Sequence, residues 1–198
     1  FAAIAGIRAS NAAMNACCSR QAWPYAVGLF ADLPARKLEG SLISHNTLMS
    51  AYDFADRWET VLALLADITN SDGLHPDLTT INIALNACAT GSAWQVSLDL
   101  LDVLASLSLE GGTLTYNHAL RGMLSTWQMA LSILERMNTS LVEKDHLTFG
   151  LSMKSLADAS EWQCVTELLE ELYAKQMQPN QGIYAVLIPL ALQKGLRR

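Results

Sequence analysis

Apolar residues recur along this chain in blocks whose internal spacing is helical and whose phase repeats five times. Each block opens on a tryptophan, at Trp23, Trp58, Trp94, Trp127 and Trp162, so the intervals are 35, 36, 33 and 35 residues. Behind each Trp the third residue is Ala, Val or Ser, the sixth Leu or Ile, the seventh Leu or Phe, and the tenth Leu, Ile or Met. These positions fall on one side of a 3.6-residue helix, and each block therefore predicts an amphipathic α-helix.

A second pattern lies upstream of each Trp. Its marker is Asn11, Asn46, Asn82 and Asn117, with Gly150 and Ala185 at the same phase. The third residue after the marker is Met14, Met49, Leu85, Leu120 or Met153, and the fifth is small: Ala16, Ala51, Ala87, Gly122 or Ser155. Small residues at a fixed phase let two helices approach closely. The pair of patterns predicts a helical hairpin, and a period near 35 predicts an all-α solenoid, because each hairpin can bury its apolar face only against its neighbours.

The expected organisation is one continuous array over 1–198, with repeats at about 7–41, 42–77, 78–112, 113–145 and 146–180 and a half repeat at 181–198. Gly91 and the pair Gly111-Gly112 mark expected chain breaks, and the turn formers of 70–77 hold the one extra residue of the second repeat. The fourth repeat lacks two residues between Asn117 and Trp127, and the deletion is expected in the turn between its helices. Pro189 is expected to kink or end the last helix, which either caps the stack or leads into more of it. The chain opens at Phe1 rather than Met, as a processed or partial piece would.

Composition narrows the function. The formal net charge is −6 and the pI about 5.1, the wrong sign for a protein whose main affinity comes from neutralising phosphates, which argues against an indiscriminate nucleic-acid binder; no duplex DNA partner is expected. Cys17, Cys18, Cys88 and Cys164 fall within the predicted helices without a CxxC pair, and are expected to be reduced core residues. The uncharged run Leu78–Leu98 is interrupted by polar residues and makes a poor membrane span. His45, His75, His118 and His146 share no metal-ligand spacing, and neither a metal nor another cofactor is expected. No phosphate loop, nucleophile elbow or paired acids occur, so no enzymatic activity is expected. Glu167, Glu170 and Glu171 look like a solvated helix face, and the Trp residues like buried packing residues.

Asn near the start of the first helix, Ala26 or Ala130 in the second, and the endings Pro76-Asp77 and Pro179-Asn180 together resemble the pentatricopeptide repeat. Thr115 to Asn117 followed by Met129 to Met137 is the nearest single match, and the resemblance runs over essentially the whole chain. The tetratricopeptide repeat has a similar period, but its signature places Trp in the first helix, whereas here Trp heads the second.

The resemblance implies a right-handed superhelix and a module that reads single-stranded RNA, one base per repeat, through the first-helix Asn and the last residue of the repeat. Carried onto this chain, the pairs are Asn11 with Ser41, Asn46 with Asp77, Asn82 with Gly112, Asn117 with Asp145, and Gly150 with Asn180. It implies pyrimidines at the two Asn–Asp pairs, and base-sandwiching residues three before the Asn: Ile43, Leu114 and Leu147, but Arg8 and Thr79 elsewhere. Gly112 and Gly150 each remove a reading side chain. Ser41, Asp77, Asp145 and Asn180 equally suit a simple role as helix N-caps.

The residue four after each marker is expected on the inner face: Asn15, Ser50, Asn86, Arg121 and Lys154, a stripe that turns basic toward the C-terminus. Two readings follow. One is an RNA-binding module of a plastid or mitochondrion, a location that the resemblance implies. The other is a protein-binding scaffold or structural subunit of a large organellar assembly, which the acidic charge favours.

Overall fold

The computed structural model describes residues 2–18, 22–36, 38–71 and 73–195. They form eleven α-helices and one short 3-10 turn, with no strand among them. The helices are α1 (Ala2–Ala16), α2 (Trp23–Ala31), α3 (Leu42–Phe54), α4 (Trp58–Asn70), α5 (Leu78–Thr90), α6 (Trp94–Ser106), α7 (Thr113–Gly122), α8 (Trp127–Thr139), α9 (His146–Asp158), α10 (Trp162–Ala174) and α11 (Gln181–Gly195). Every Trp is the first residue of a second-type helix. The architecture is an all-α helical repeat, and it divides into two compact units, residues 1–110 and 111–198.

Within the first unit α3 packs on α4 and on α5, and α1 packs on α2 and α3. Within the second, α9 packs on α7, α8, α10 and α11. The two most regular apolar positions explain why. Three after the Trp, the small residues Ala26, Val61, Ser97, Ala130 and Val165 are all buried, as are Leu33, Ile68, Leu104, Met137 and Leu172 ten after it. Met14, Met49, Leu85, Leu120 and Met153 seal the hairpins from the first helix. Burying such side chains contributes about 1.5–3 kcal/mol each.

The indoles are only half-buried at Trp23, Trp58, Trp94 and Trp127, and Trp162 is exposed, so full burial at matched sites is not what the fold provides. Two of the rings, those of Trp23 and Trp58, lie against the next hairpin. Trp23 stands 5.6 Å from the Tyr52 ring of α3, with the Arg57 guanidinium carbon 5.9 Å from the centroid of the Trp23 ring. A Cβ at Gly91 would lie 2.6 Å from the Trp58 ring. Gly91 is the C-cap that ends α5, as expected of a break between the two helices, and its ordinary φ of −81° leaves the close approach of the Trp58 ring as the reason that the position takes no side chain.

Six turns between helices reuse one device that sequence reading missed. Asp56, Ser92, Ser108, Leu141, Ser160 and Gln176 all adopt left-handed φ between 53° and 62°. The residue after each donates its N–H back into the helix, as Arg57 does to Tyr52 and Val142 to Met137. This is the Schellman stop, made here without glycine. The extra residue of 71–77 does sit in the loop, where Gly73 takes φ 102°.

Three sequence expectations need correction. The fourth repeat loses its residues from the helix, for α7 has 10 residues where α3, α5 and α9 have 13. Of the two outcomes expected at Pro189, a kink or an end, the end does not occur, for α11 runs through it. Cys17 and Cys18 lie just past the end of α1 and only Cys88 is fully buried, where burial raises its thiol pKa to about 11.

Candidate functional site

First-type helices need an N-cap, and the last residue of each preceding repeat supplies it. Ser41, Asp77 and Asp145 accept the N–H of Ser44, Thr80 and Thr148, and each closes a reciprocal capping box with that residue's hydroxyl. Asn180 Oδ1 accepts from Ile183 N–H at 3.0 Å. Gly112 caps α7 without a side chain.

The cap is tied to the marker Asn of the preceding repeat. Asn46 Nδ2 donates to Asp77 Oδ1 at 3.3 Å, and Thr80 Oγ1 donates to Asn46 Oδ1 at 2.8 Å. Asn117 Nδ2 donates to Asp145 Oδ1 at 3.1 Å, and Thr148 Oγ1 donates to Asn117 Oδ1 at 2.7 Å. Asn11 and Ser41 are bridged, since the Ser44 hydroxyl donates to Asn11 Oδ1 at 2.8 Å and meets the Ser41 hydroxyl at 3.1 Å. The third members, Ser44, Thr80 and Thr148, were absent from the sequence expectation. The signal was available, because each stands three residues after the cap at the repeat's own period.

Asn46 and Asn117 are buried, Asp77 is half-buried and Asp145 exposed, so the carboxylate is the outermost polar group of each cluster. Burial works to raise the pKa of both acids, and hydrogen bonds outweigh it. Thr80 backbone and hydroxyl, the Asn46 amide and Thr79 N–H hold Asp77 below the usual carboxylate range. Thr148, the Asn117 amide and Leu147 N–H do the same for Asp145. An ionised carboxylate only accepts, so each pair presents an acceptor edge.

Exposed apolar side chains stand three residues before these markers, Ile43 before Asn46 and Leu114 before Asn117, and Leu147 holds the same place before Gly150. In the first unit, Ile43, Asn46, Ser50, Asp77, Thr79 and Ile83 line a slot of about 280 Å³ that Asn15 also borders. In the second, a slot of about 500 Å³ lies between α9 and α11 over Gly150, with Lys154 and Asn180 in its walls.

The remaining predicted residues are less alike. Asn82 is half-buried, with its Oδ1 buried and unpartnered among the described residues. Asn86 donates to Asp53 Oδ2 at 2.7 Å, which ties that position of the stripe down. Arg121 and Lys154 are exposed on α7 and α9. Glu171 is not part of a solvated face: both its oxygens accept from the buried Lys144 ammonium, at 2.8 and 3.0 Å. No helix among the described residues is long and apolar enough to cross a membrane.

The chain matches no protein-family profile and no curated protein sequence. Among solved structures it is similar to the PPR domain of Arabidopsis thaliana protein-only RNase P 1 in complex with tRNA, with a TM-score of 0.77 and 14% identity over 90% of this chain and 94% of that one. It is similar to PPR10 in complex with an 18-nt psaJ RNA element, with a TM-score of 0.70 and 18% identity over 84% of this chain. PPR10 from maize gives a TM-score of 0.66 and 23% identity over 88%. The chain spans about a quarter of the length of the PPR10 chains, 25% in each case. Capped hairpins in a fixed register define a helical-repeat protein. Its fold is the pentatricopeptide-repeat fold.

Proposed function

We propose that this chain is a non-enzymatic module that binds single-stranded RNA in a plastid or mitochondrion, as one continuous array of five repeats and a half. The observation that carries the reading is the doubled Asn–Asp cluster, Asn46 with Asp77 and Asn117 with Asp145, each opening beside an exposed aliphatic side chain. A carboxylate acceptor suits a base edge that offers a ring N–H, as uracil does, and an aliphatic flank suits either face of a base. The structural neighbours in complex with an 18-nt RNA element and with tRNA support the same reading.

In it, Asn11 with Ser41 forms a weaker hydroxyl version of the site, Asn82 has no polar partner side chain at Gly112, and Arg121 and Lys154 face phosphates. With so few cations, affinity is expected to fall only shallowly with salt. Binding of short pyrimidine-rich RNA from low to physiological salt tests the proposal. Asn46→Ala and Asn117→Ala are each expected to weaken binding about tenfold, which corresponds to ~1.4 kcal/mol. Absence of binding by the unaltered chain at low salt would remove the reading.

A protein scaffold is the second reading, favoured by the net charge of −6 and by Tyr184, Ile188 and Leu192 exposed in a row on α11. Isolation of the native protein after nuclease treatment separates the two. A scaffold stays with a multiprotein complex, whereas an RNA binder is released.

A further inference from the structure

Two of the four cysteines are neighbours in the chain. Cys17 and Cys18 follow α1 directly, and Cys18 N–H reaches three residues back, to Asn15 O at 3.0 Å, so the regular helical ladder has already stopped there. Both side chains are half-buried against the same small cluster of Met14, Ala26 and Ala51. They are close enough to interact, since burial first and then Cys17 push the Cys18 thiol above its usual pKa.

The Cys18 thiol does more than fill space. It shares its hydrogen between Met14 O of α1, at 3.3 Å, and Thr47 O of α3, at 3.4 Å. One residue therefore holds Asn15 through its backbone N–H and Thr47 through its thiol, and both of these border the slot of about 280 Å³ in the first unit. Cys88 and Cys164 have no cysteine beside them in the chain, and Cys88 is fully buried.

A bridge between adjacent cysteines differs from a structural one. Consecutive Cα atoms stand about 3.8 Å apart, below the span of about 4.4–6.8 Å that an ordinary disulfide takes, so the bond is strained and easily reduced. Because it closes no loop, it brings none of the stabilisation of a long-range bridge. Strained, half-exposed disulfides are the labile and regulatory kind. Here formation also removes the Sγ hydrogen, and Met14 O and Thr47 O lose their donor.

We propose that Cys17 and Cys18 are a reversible thiol switch, oxidised by hydrogen peroxide to a vicinal disulfide that releases Thr47 and loosens α1 from α3. Cys17 reacts first, because Cys18 Sγ faces two carbonyls that keep it a thiol, and the thiolate is the nucleophile. Peroxide takes the Cys17 thiolate to a sulfenic acid as its O–O bond breaks and hydroxide leaves. The Cys18 sulfur then attacks the Cys17 sulfur, the S–O bond breaks, and the Cys18 proton leaves with the hydroxyl as water. In sum, two thiols and one peroxide give a disulfide and two waters. A dithiol reverses the step and is itself left as a disulfide. Only the effect on the slot rests on the RNA-binding reading.

Treating the full chain with hydrogen peroxide, then counting thiols and mapping peptides, tests this. Free thiols are expected to fall from four to two, with the loss confined to a peptide that holds both Cys17 and Cys18 and regains its two hydrogens on addition of dithiothreitol. The melting temperature of the oxidised chain is expected to drop by about 2–4 °C. Hydrogen exchange should quicken in α1 and α3 and stay unchanged in α9 and α10. Cys17→Ser, a conservative change that leaves the Cys18 contacts in place, should abolish both the reversible thiol loss and the drop. A pair that stays reduced, a bridge to Cys88, Cys164 or a second chain, or an equal drop in the Cys17→Ser protein overturns the proposal. Oligouridine affinity is expected to weaken about threefold on oxidation and to recover on reduction. If the thiol chemistry and the drop appear but neither form binds oligouridine, the RNA-binding reading falls and the switch stands. If oligouridine binds and the pair stays reduced, the switch alone falls.

Discussion

The amide cluster at Asn46 in the first unit and that at Asn117 in the second share one geometry, while the ground around them differs. Both tie an Asn amide to an Asp cap and a threonine hydroxyl, with contacts between 2.7 and 3.3 Å. Yet Asn15 and Ser50 border the first unit's slot, whereas Arg121 and Lys154 extend the stripe in the second. The common part is constrained because it also starts a helix, and a lost cap would leave backbone N–H groups unmet. The flanking stripe carries no such duty and is free to set charge and size.

The largest expected effects test whether the two units share a core of equal quality. Phe149→Ala should destabilise the second unit by about 3–5 kcal/mol and Ile81→Ala the first by about 2–5, measured by urea unfolding. Both side chains are fully buried. A loss below about 1 kcal/mol at either would mean that its surroundings collapse into the gap.

Next comes the ion pair of the second unit. Glu171→Ala leaves the Lys144 ammonium buried and unpaired, with an expected cost of about 2–3 kcal/mol, below the fully buried limit because Glu171 is one-third exposed. Replacing both residues by apolar ones should recover most of that loss. If the double variant is as unstable as the single, packing and not charge explains the pair.

The caps test the equivalence directly. Asp77→Ala and Asp145→Ala should each cost about 1–2 kcal/mol, and by equal amounts. Because both acids have folded pKa values below their unfolded ones, their contribution is full above the unfolded carboxylate pKa and is lost as pH falls through the folded value. Thermal stability should therefore decline in the acid range, less so in the Asp77→Asn, Asp145→Asn protein. Unequal losses at the two caps would break the comparison.

The smallest effect concerns the stops. Leu141 is 91% exposed in a left-handed conformation, φ 54°, so Leu141→Gly should stabilise by about 0.5–1 kcal/mol. No gain in the melting temperature would mean that the turn is unstrained.

Much of the fold was legible because apolar periodicity is a local property of the chain. Trp23, Trp58, Trp94, Trp127 and Trp162 begin helices, and Asn46–Asp77 and Asn117–Asp145 come together as the repeat implied. Gly91 ends α5 as its sequence position implied, but the reason for glycine there was not legible, since it is a ring from a residue 33 positions earlier. Glu171 passed as solvated for the same reason, since its partner Lys144 lies 27 residues away in a loop. The Schellman stops escaped notice because Ser, Leu and Gln, which make five of the six, are not the residues expected at positive φ.

The sequence alone determined the number, type and phase of the helices, since the side chains that define them lie within three or four residues of each other. Tertiary structure decided which hydroxyl completes each amide–carboxylate pair, how deeply each indole is covered and how wide each slot stands. Those outcomes depend on groups about one repeat apart, and only a packed neighbour sets the distance between them.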